Sequence, residues 1–156
     1  MQTLHAKNYT DPDVFQKETH NIFVQEWIPI AHTNEFLEPH FAIERRFIHF
    51  SIVIVRDNDE YRAFHNVCPH RAGPLLWKQD SLALKALRCR YHGWRYNLEG
   101  TCTHQPDFGT AVEAKLQSIH VQIWHGLIFI NLSSNPPVFH WLGLLNDHTP
   151  SLIPFE

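Results

Sequence analysis

The chain has 156 residues, with 16 Asp and Glu against 13 Lys and Arg and a formal net charge of -3 when His is neutral. One domain is expected at this length, and 46 residues of Leu, Ile, Val or Phe set disorder aside. The charge balance removes nucleic acid and anionic membranes as partner classes, no apolar run reaches the roughly 20 residues of a spanning helix, and the opening residues 1–7 lack the apolar core of a signal peptide, which predicts a cytoplasmic protein.

The first predicted element is a helix. Asp11 suits the N-cap, Pro12 suits the first helical position, and Val14, Phe15, Ile22 and Phe23 follow at helical spacing, with an end expected near Gln25. From residue 27 the texture changes to short β-prone runs at 27–31, 42–47, 51–56 and 61–67. Asp57-Asn58-Asp59-Glu60 lies between two of them as a hairpin turn, without the glycine that the tightest turns prefer. Further runs fall at 87–90, 94–98, 100–104, 119–124 and 127–131, with turns at Asn97-Leu98-Glu99-Gly100 and His125-Gly126. Short strands at this frequency, with no long helices between them, predict a mainly β fold, a small antiparallel β-sandwich or barrel. After Ser133-Ser134-Asn135-Pro136-Pro137 the pattern breaks. The expected organisation is a helical segment at 1–26, a β domain at 27–132 and an irregular, proline-interrupted connector at 133–156.

Thirteen histidines stand against three cysteines, Cys68, Cys89 and Cys102, too few for a disulfide scaffold. Abundant histidine fits metal ligation, pH sensing or surface polarity alike, so spacing has to choose. Cys68-Pro69-His70 and Cys89-Arg90-Tyr91-His92 form two Cys/His pairs, each at the end of a predicted strand and the start of a Gly-containing turn, so two loops can converge from a rigid scaffold. A structural zinc site usually takes both cysteines from one loop and both histidines from another, whereas here each loop gives one of each. The mixture suits a [2Fe-2S] centre with two Cys on one iron and two His on the other, because each loop must then reach both irons. A zinc-stabilised interaction module is the alternative. Cys102 has no partner at motif spacing and reads as a small apolar residue. His65, His104, His120 and His125 read as surface or hydrogen-bonded strand residues, and Asp147-His148 as solvated polar residues of the tail.

Cys-Pro-His-Arg at 68–71 together with Cys-Arg-Tyr-His-Gly-Trp at 89–94 resembles the Rieske iron-sulfur signature, and more narrowly the N-terminal part of the large (α) subunit of Rieske non-haem iron, ring-hydroxylating oxygenases. The likeness extends to Asp11-Pro12 and the helix after it, Arg56, the lead-in at 63–67, Gly93-Trp94-Arg95-Tyr96, Gly100 and the run 124–132. It implies the Rieske fold over 27–132 and an electron-transfer role. It also implies that Cys68 and Cys89 hold a buried iron and His70 and His92 an outer one, at a tip where an electron can leave and where the potential couples to pH. The partners implied are a ferredoxin or flavin reductase as electron donor and a catalytic oxygenase domain or neighbouring α subunit as acceptor, with homo-oligomerisation where that domain is present. A free-standing Rieske ferredoxin is the competing role; the helix and tail count against it, since such carriers are usually shorter.

Respiratory Rieske proteins differ at three positions. They carry an extra disulfide where this chain has Gly73 and Tyr91, and a serine beside a cluster sulfur where it has Trp94. Fewer hydrogen bonds to sulfur predict a potential at the low end of the Rieske range. Tyr91, Trp94 and Tyr96 are expected to shield the cluster by packing, and Arg71 to position the first loop or meet a neighbouring domain. Ala72 stands where the oxygenases have the Gly of His-Arg-Gly, and a positive φ there would strain it by about 1 kcal/mol or more. The family's mononuclear iron triad, Asp-x2-His-x4-His, has no match: His65/His70 and His120/His125 have the last spacing, but Arg62 and Gln117 stand in the Asp position. No catalytic residue is expected here, and the mononuclear Fe(II) would belong to a catalytic domain absent from this chain. That absence would orphan an apolar surface at Phe15, Ile22, Phe23, Trp141, Leu142, Leu144 and Leu145.

Overall fold

The computed structural model describes residues 3–77, 81–106 and 112–139; the tail beyond, with Trp141, Leu142, Leu144, Leu145, Asp147 and His148, lies outside the described residues. Asp11 caps α1 (Pro12–Glu18), its carboxylate accepting from the Asp13 N–H at 2.9 Å. The α-helix stops short of Gln25. Thr19 Oγ donates to the Phe15 carbonyl at 2.8 Å, a side-chain bond that competes with the helical ladder, and the chain widens into a π-turn over Thr19–Phe23.

Among the described residues ten strands follow: β1 (Ile28–His32), β2 (His40–Phe47), β3 (Phe50–Asp57), β4 (Glu60–His65), β5 (Ser81–Ala83), β6 (Leu87–Arg88), β7 (Arg95–Tyr96), β8 (Cys102–His104), β9 (Ser118–Trp124) and β10 (Leu127–Asn131). Seven form one antiparallel sheet in the order β1-β10-β9-β4-β3-β2-β5, and three form a small sheet, β6-β7-β8. The large sheet narrows to two residue pairs where β4 meets β9, Ala63 opposite Ile119 and Phe64 opposite Ser118, and this seam lets it curl. The expected hairpin at 57–60 is present, and Asn58 supplies the left-handed φ of 56° that a glycine would otherwise give. The β9–β10 turn takes positive φ at both His125 and Gly126, the geometry that matches the twist of a two-residue hairpin.

β3 separates two cores. Ile52 and Ile54 face one, with Phe41, Ile43, Ile128 and Ile130; Val53 and Val55 face the other, with Phe64, Leu87, Trp94 and Tyr96. Both faces of the strand are covered, which is why its sequence is an unbroken Ile-Val-Ile-Val rather than an alternation. Cys68 and Cys89 belong to the second core, between the large sheet and the small one.

Beyond β10 the described residues 132–139 form no strand or helix, yet they are strapped down. Trp27 Nε1–H donates to the Pro137 carbonyl at 2.9 Å, Phe139 packs edge-on against Trp27 and Phe129, and the Asn131 amide donates to the Gln25 carbonyl at 2.6 Å. Residues 131–139 therefore run beside the entry to β1. Phe15 and Ile22 are half exposed, in line with the apolar surface expected there, whereas Phe23 turns in and packs on Phe47. No helix among the described residues is long and apolar enough to cross a membrane.

Candidate metal centre

Two loops of one design carry the Cys/His pairs. In the first, between β4 and β5, the Cys68 N–H donates to the Gly73 carbonyl at 2.8 Å and the Ala72 N–H returns to the Cys68 carbonyl at 2.8 Å. In the second, between β6 and β7, the Cys89 N–H donates to the Trp94 carbonyl at 2.8 Å and the Gly93 N–H to the Cys89 carbonyl at 3.0 Å. Both loops need a left-handed residue four positions after the cysteine: φ is 55° at Ala72 and 73° at Gly93. The strain expected of Ala72 is present, about 1 kcal/mol for a Cβ in this region. The design is the same, but the histidine sits two residues after the first cysteine and three after the second.

The first loop is fastened at its base by Asn66, a buried side chain at the end of β4. Its Oδ1 accepts from the Leu75 and Leu76 N–H groups at 2.8 and 3.0 Å, and its Nδ2 donates to the Leu76 carbonyl at 2.7 Å and to Ser51 Oγ at 3.0 Å. Every hydrogen-bonding capacity of the amide is used. Ser51 Oγ in turn lies 2.7 Å from Oε1 of the buried Glu44.

The loops bring the four singled-out side chains together as two pairs. Cys68 and Cys89 are buried, at 1% and 2% exposure, and their sulfurs lie in hydrogen-bonding contact. Burial pushes the Cys89 thiol up, while the backbone N–H groups of Tyr91 and His92, donating to its sulfur, pull the other way. Tyr96 Oη lies 3.0 Å from Cys68 Sγ, and burial holds the phenol far above its ordinary range, so it stays a protonated donor. On the outer side, the His70 and His92 rings meet edge-on with centroids 4.7 Å apart, and His70 stacks on Trp94 at 4.7 Å with the planes 5° from parallel. Desolvation first, then the charges of His92 and Arg71, pushes His70 below the usual histidine range, toward the neutral form that can ligate a metal. A Cβ on Gly73 would fall 2.8 Å from the Tyr91 ring and 3.1 Å from Cys89 Sγ. The two positions that respiratory proteins bridge covalently thus meet here as a tyrosine ring laid over a glycine.

This arrangement tests what the centre can hold. A structural zinc site usually takes both cysteines from one loop and both histidines from another, whereas here each loop supplies one thiol and one imidazole. A buried sulfur pair and an outward imidazole pair, with donors aimed at both sulfurs, fit a two-iron cluster. The other histidines stand apart: His65 is half-buried, edge-on to Phe50, and held below its ordinary range by burial; His104 and His120 are exposed on strands, and His125 lies in a turn. Cys102 is half-buried against the second core, with the Gln105 amide 3.5 Å from its sulfur. Two residues escaped the sequence reading. Tyr96, expected only to pack, directs its hydroxyl at a cysteine sulfur, and Asn66 was not singled out at all. Tyr96 lies two residues after Trp94, which precedes β7, and so faces the same inward side, which was the available signal.

Comparison with known proteins follows the same lines. The Rieske [2Fe-2S] domain family matches residues 26–122. The carnitine monooxygenase oxygenase subunit of Escherichia coli (strain K12) is 34% identical over 139 residues, 85% of this chain but 37% of the relative. A quaternary ammonium Rieske monooxygenase, in a structure described as giving insights into carnitine oxidation by gut microbiota and inter-subunit electron transfer, superposes with a TM-score of 0.76 at 33% identity, over 84% of this chain and 37% of that one. Naphthalene 1,2-dioxygenase from Rhodococcus sp. superposes with a TM-score of 0.81 at 26% identity, over 90% and 34%. The chain thus spans little more than a third of the length of the proteins it matches.

Proposed function

The chain belongs to the Rieske [2Fe-2S] domain family, and from that premise we propose that Cys68 and Cys89 hold the inner iron of its cluster and His70 and His92 the outer one, in the electron-transfer domain of an oxygenase α subunit. The observation that carries this reading is the division of the four side chains into a sulfur pair inside the core and an imidazole pair 4.7 Å apart at the surface. A bound cluster supplies a one-electron carrier that is easier to reduce than an all-thiolate one, because two neutral imidazoles replace two thiolates. The chain's own residues set its surroundings. Tyr96 and the backbone N–H groups of Tyr91 and His92 donate to the sulfurs, the Tyr91 ring packs over Gly73 next to Cys89, and the Trp94 indole stacks on the His70 ring.

The donor in this reading is a ferredoxin or flavin reductase, and the acceptor a mononuclear iron in a catalytic domain or in a neighbouring α subunit. A cytoplasmic setting belongs to the same reading, since it keeps thiols such as these reduced. Residues 27–132 are assigned to the cluster domain, 1–26 and 133–156 to segments that meet the catalytic part.

Ligand substitution tests the assignment. In the full chain reconstituted anaerobically with iron and sulfide, His70→Ala and His92→Ala should each lose the Rieske-type visible and EPR spectra, while His120→Ala keeps them. A spectrum unchanged in either of the first two variants contradicts the ligand set.

A further inference from the structure

The small sheet carries an arrangement that folding disfavours. Arg88 on β6 stands directly opposite Arg95 on β7, and Arg95 stands opposite His104 on β8. Opposed residues of an antiparallel ladder share a face, and all three side chains are exposed, so two arginines and a histidine form one row across the three-stranded sheet. The next pair in the β6–β7 ladder, Leu87 opposite Tyr96, is buried, which puts the arginines on the outer face. Like charges placed directly opposite destabilise a sheet.

Four arginines elsewhere in the chain have partners. Arg45 pairs with Glu35, Arg46 with Glu44, and Arg62 with Asp57 and Glu60, while Arg56 donates to the carbonyls of Phe36 and Asn58. Among the described residues Arg88 and Arg95 meet no carboxylate. The imbalance is regional: residues 67–96 hold six Lys and Arg and one Asp, in a chain whose net charge is -3. The row is also continuous with the centre. Arg88 immediately precedes Cys89, Arg95 follows Trp94, whose carbonyl accepts the Cys89 N–H, and the Arg88 guanidinium lies within 3.7 Å of where a Cβ on Gly93 would sit.

We propose that the row Arg88, Arg95 and His104 docks the acidic face of the protein that delivers electrons to this centre. The inference rests on the electron-transfer reading above. Adjacent strands space Arg88 and Arg95 about 4.8 Å apart, so a partner presenting several carboxylates on one surface neutralises the two arginines and relieves their repulsion, with His104 extending the row as a further hydrogen-bonding group. Complementary fields of this kind act chiefly on the rate of encounter, which they raise by roughly 10-fold to 1,000-fold at low salt.

The test uses the full chain, reconstituted with its cluster, in stopped-flow reduction by an acidic plant-type [2Fe-2S] ferredoxin, with a neutral photoreduced flavin as reference reductant. The wild-type rate with ferredoxin should fall on the order of tenfold as ionic strength rises from about 0.01 M to 0.15 M. Arg88→Gln/Arg95→Gln should show a similar fall at low salt and lose most of the salt dependence, with the flavin rate unchanged. Because the repulsion is removed, the double variant should also melt at or slightly above the wild-type temperature. Equal ferredoxin rates in the two proteins, or a double variant that melts lower because the arginines support the sheet, would overturn the proposal. So would a loss confined to electron transfer out of the reduced centre, which would give the row to the acceptor. A reconstituted wild type that the flavin cannot reduce would bring down the electron-transfer reading itself, and this inference with it.

Discussion

Ala72 and Gly93 occupy equivalent positions in the two loops, each four residues beyond its cysteine with a left-handed φ, and only one of them is a glycine. Opposite outcomes follow for opposite substitutions. Ala72→Gly should stabilise the chain by about 1 kcal/mol by removing a strained Cβ, and Gly93→Ala should destabilise it by at least as much. The second loss is aggravated because the new Cβ would sit 3.3 Å from the Pro106 ring. Urea midpoints of the three proteins check the signs; a destabilised Ala72→Gly would contradict the loop equivalence. Tyr96 offers a residue-scale test of tuning. Its hydroxyl lies 3.0 Å from Cys68 Sγ; a ligating thiolate can only accept, and a bond donated to it favours the more negative, reduced state of the centre. Losing it in Tyr96→Phe should lower the reduction potential by about 40 mV, the one-electron equivalent of roughly 1 kcal/mol, while leaving the ligands in place. An unchanged midpoint potential in a titration would mean that the phenol only packs.

At the scale of elements, the first loop is held by one amide. Asn66→Ala would leave the N–H groups of Leu75 and Leu76 and the carbonyl of Leu76 without their side-chain partner in the core, at a cost of about 3 kcal/mol. Thermal unfolding should show that loss together with poorer cluster retention, and a melting temperature within a degree of wild type would contradict it. Why Asn66 went unread is instructive: a polar residue just before a loop reads as solvated, and only the approach of residues 75–76 reveals its partners. The long strands β2, β3, β4, β9 and β10 were legible because their apolar runs are bounded by turn residues, as at Asp57-Asn58-Asp59-Glu60. β5 was not, since Ser81-Leu82-Ala83 has neither β-branched residues nor alternation and pairs only along the sheet edge with β2. The helix was placed by Asp11 and Pro12, while its early end at Glu18 depended on the back-bond of Thr19, which spacing alone does not disclose.

Over the whole molecule, the ligand pairs were legible because metal chemistry demands particular residues at short spacing, and the surroundings were not, because they are assembled across the chain. Tyr96 reaches Cys68 from 28 residues away, and Trp27 meets Pro137 across 110. The two-core plan explains how the centre is supported: Cys68 and Cys89 lie in the same apolar cluster as Val53 and Val55 of β3, so the sulfurs are fixed by the packing of the large sheet, and His70 and His92 project beyond it. The central claim is that this framework carries a two-iron, two-sulfide cluster, and the most direct measurement is iron, acid-labile sulfide and the EPR spectrum of the reduced protein on one anaerobically purified sample. The account predicts about two irons and two sulfides per chain with a Rieske-type signal. One zinc per chain with no sulfide, or no metal after careful reconstitution, would contradict it.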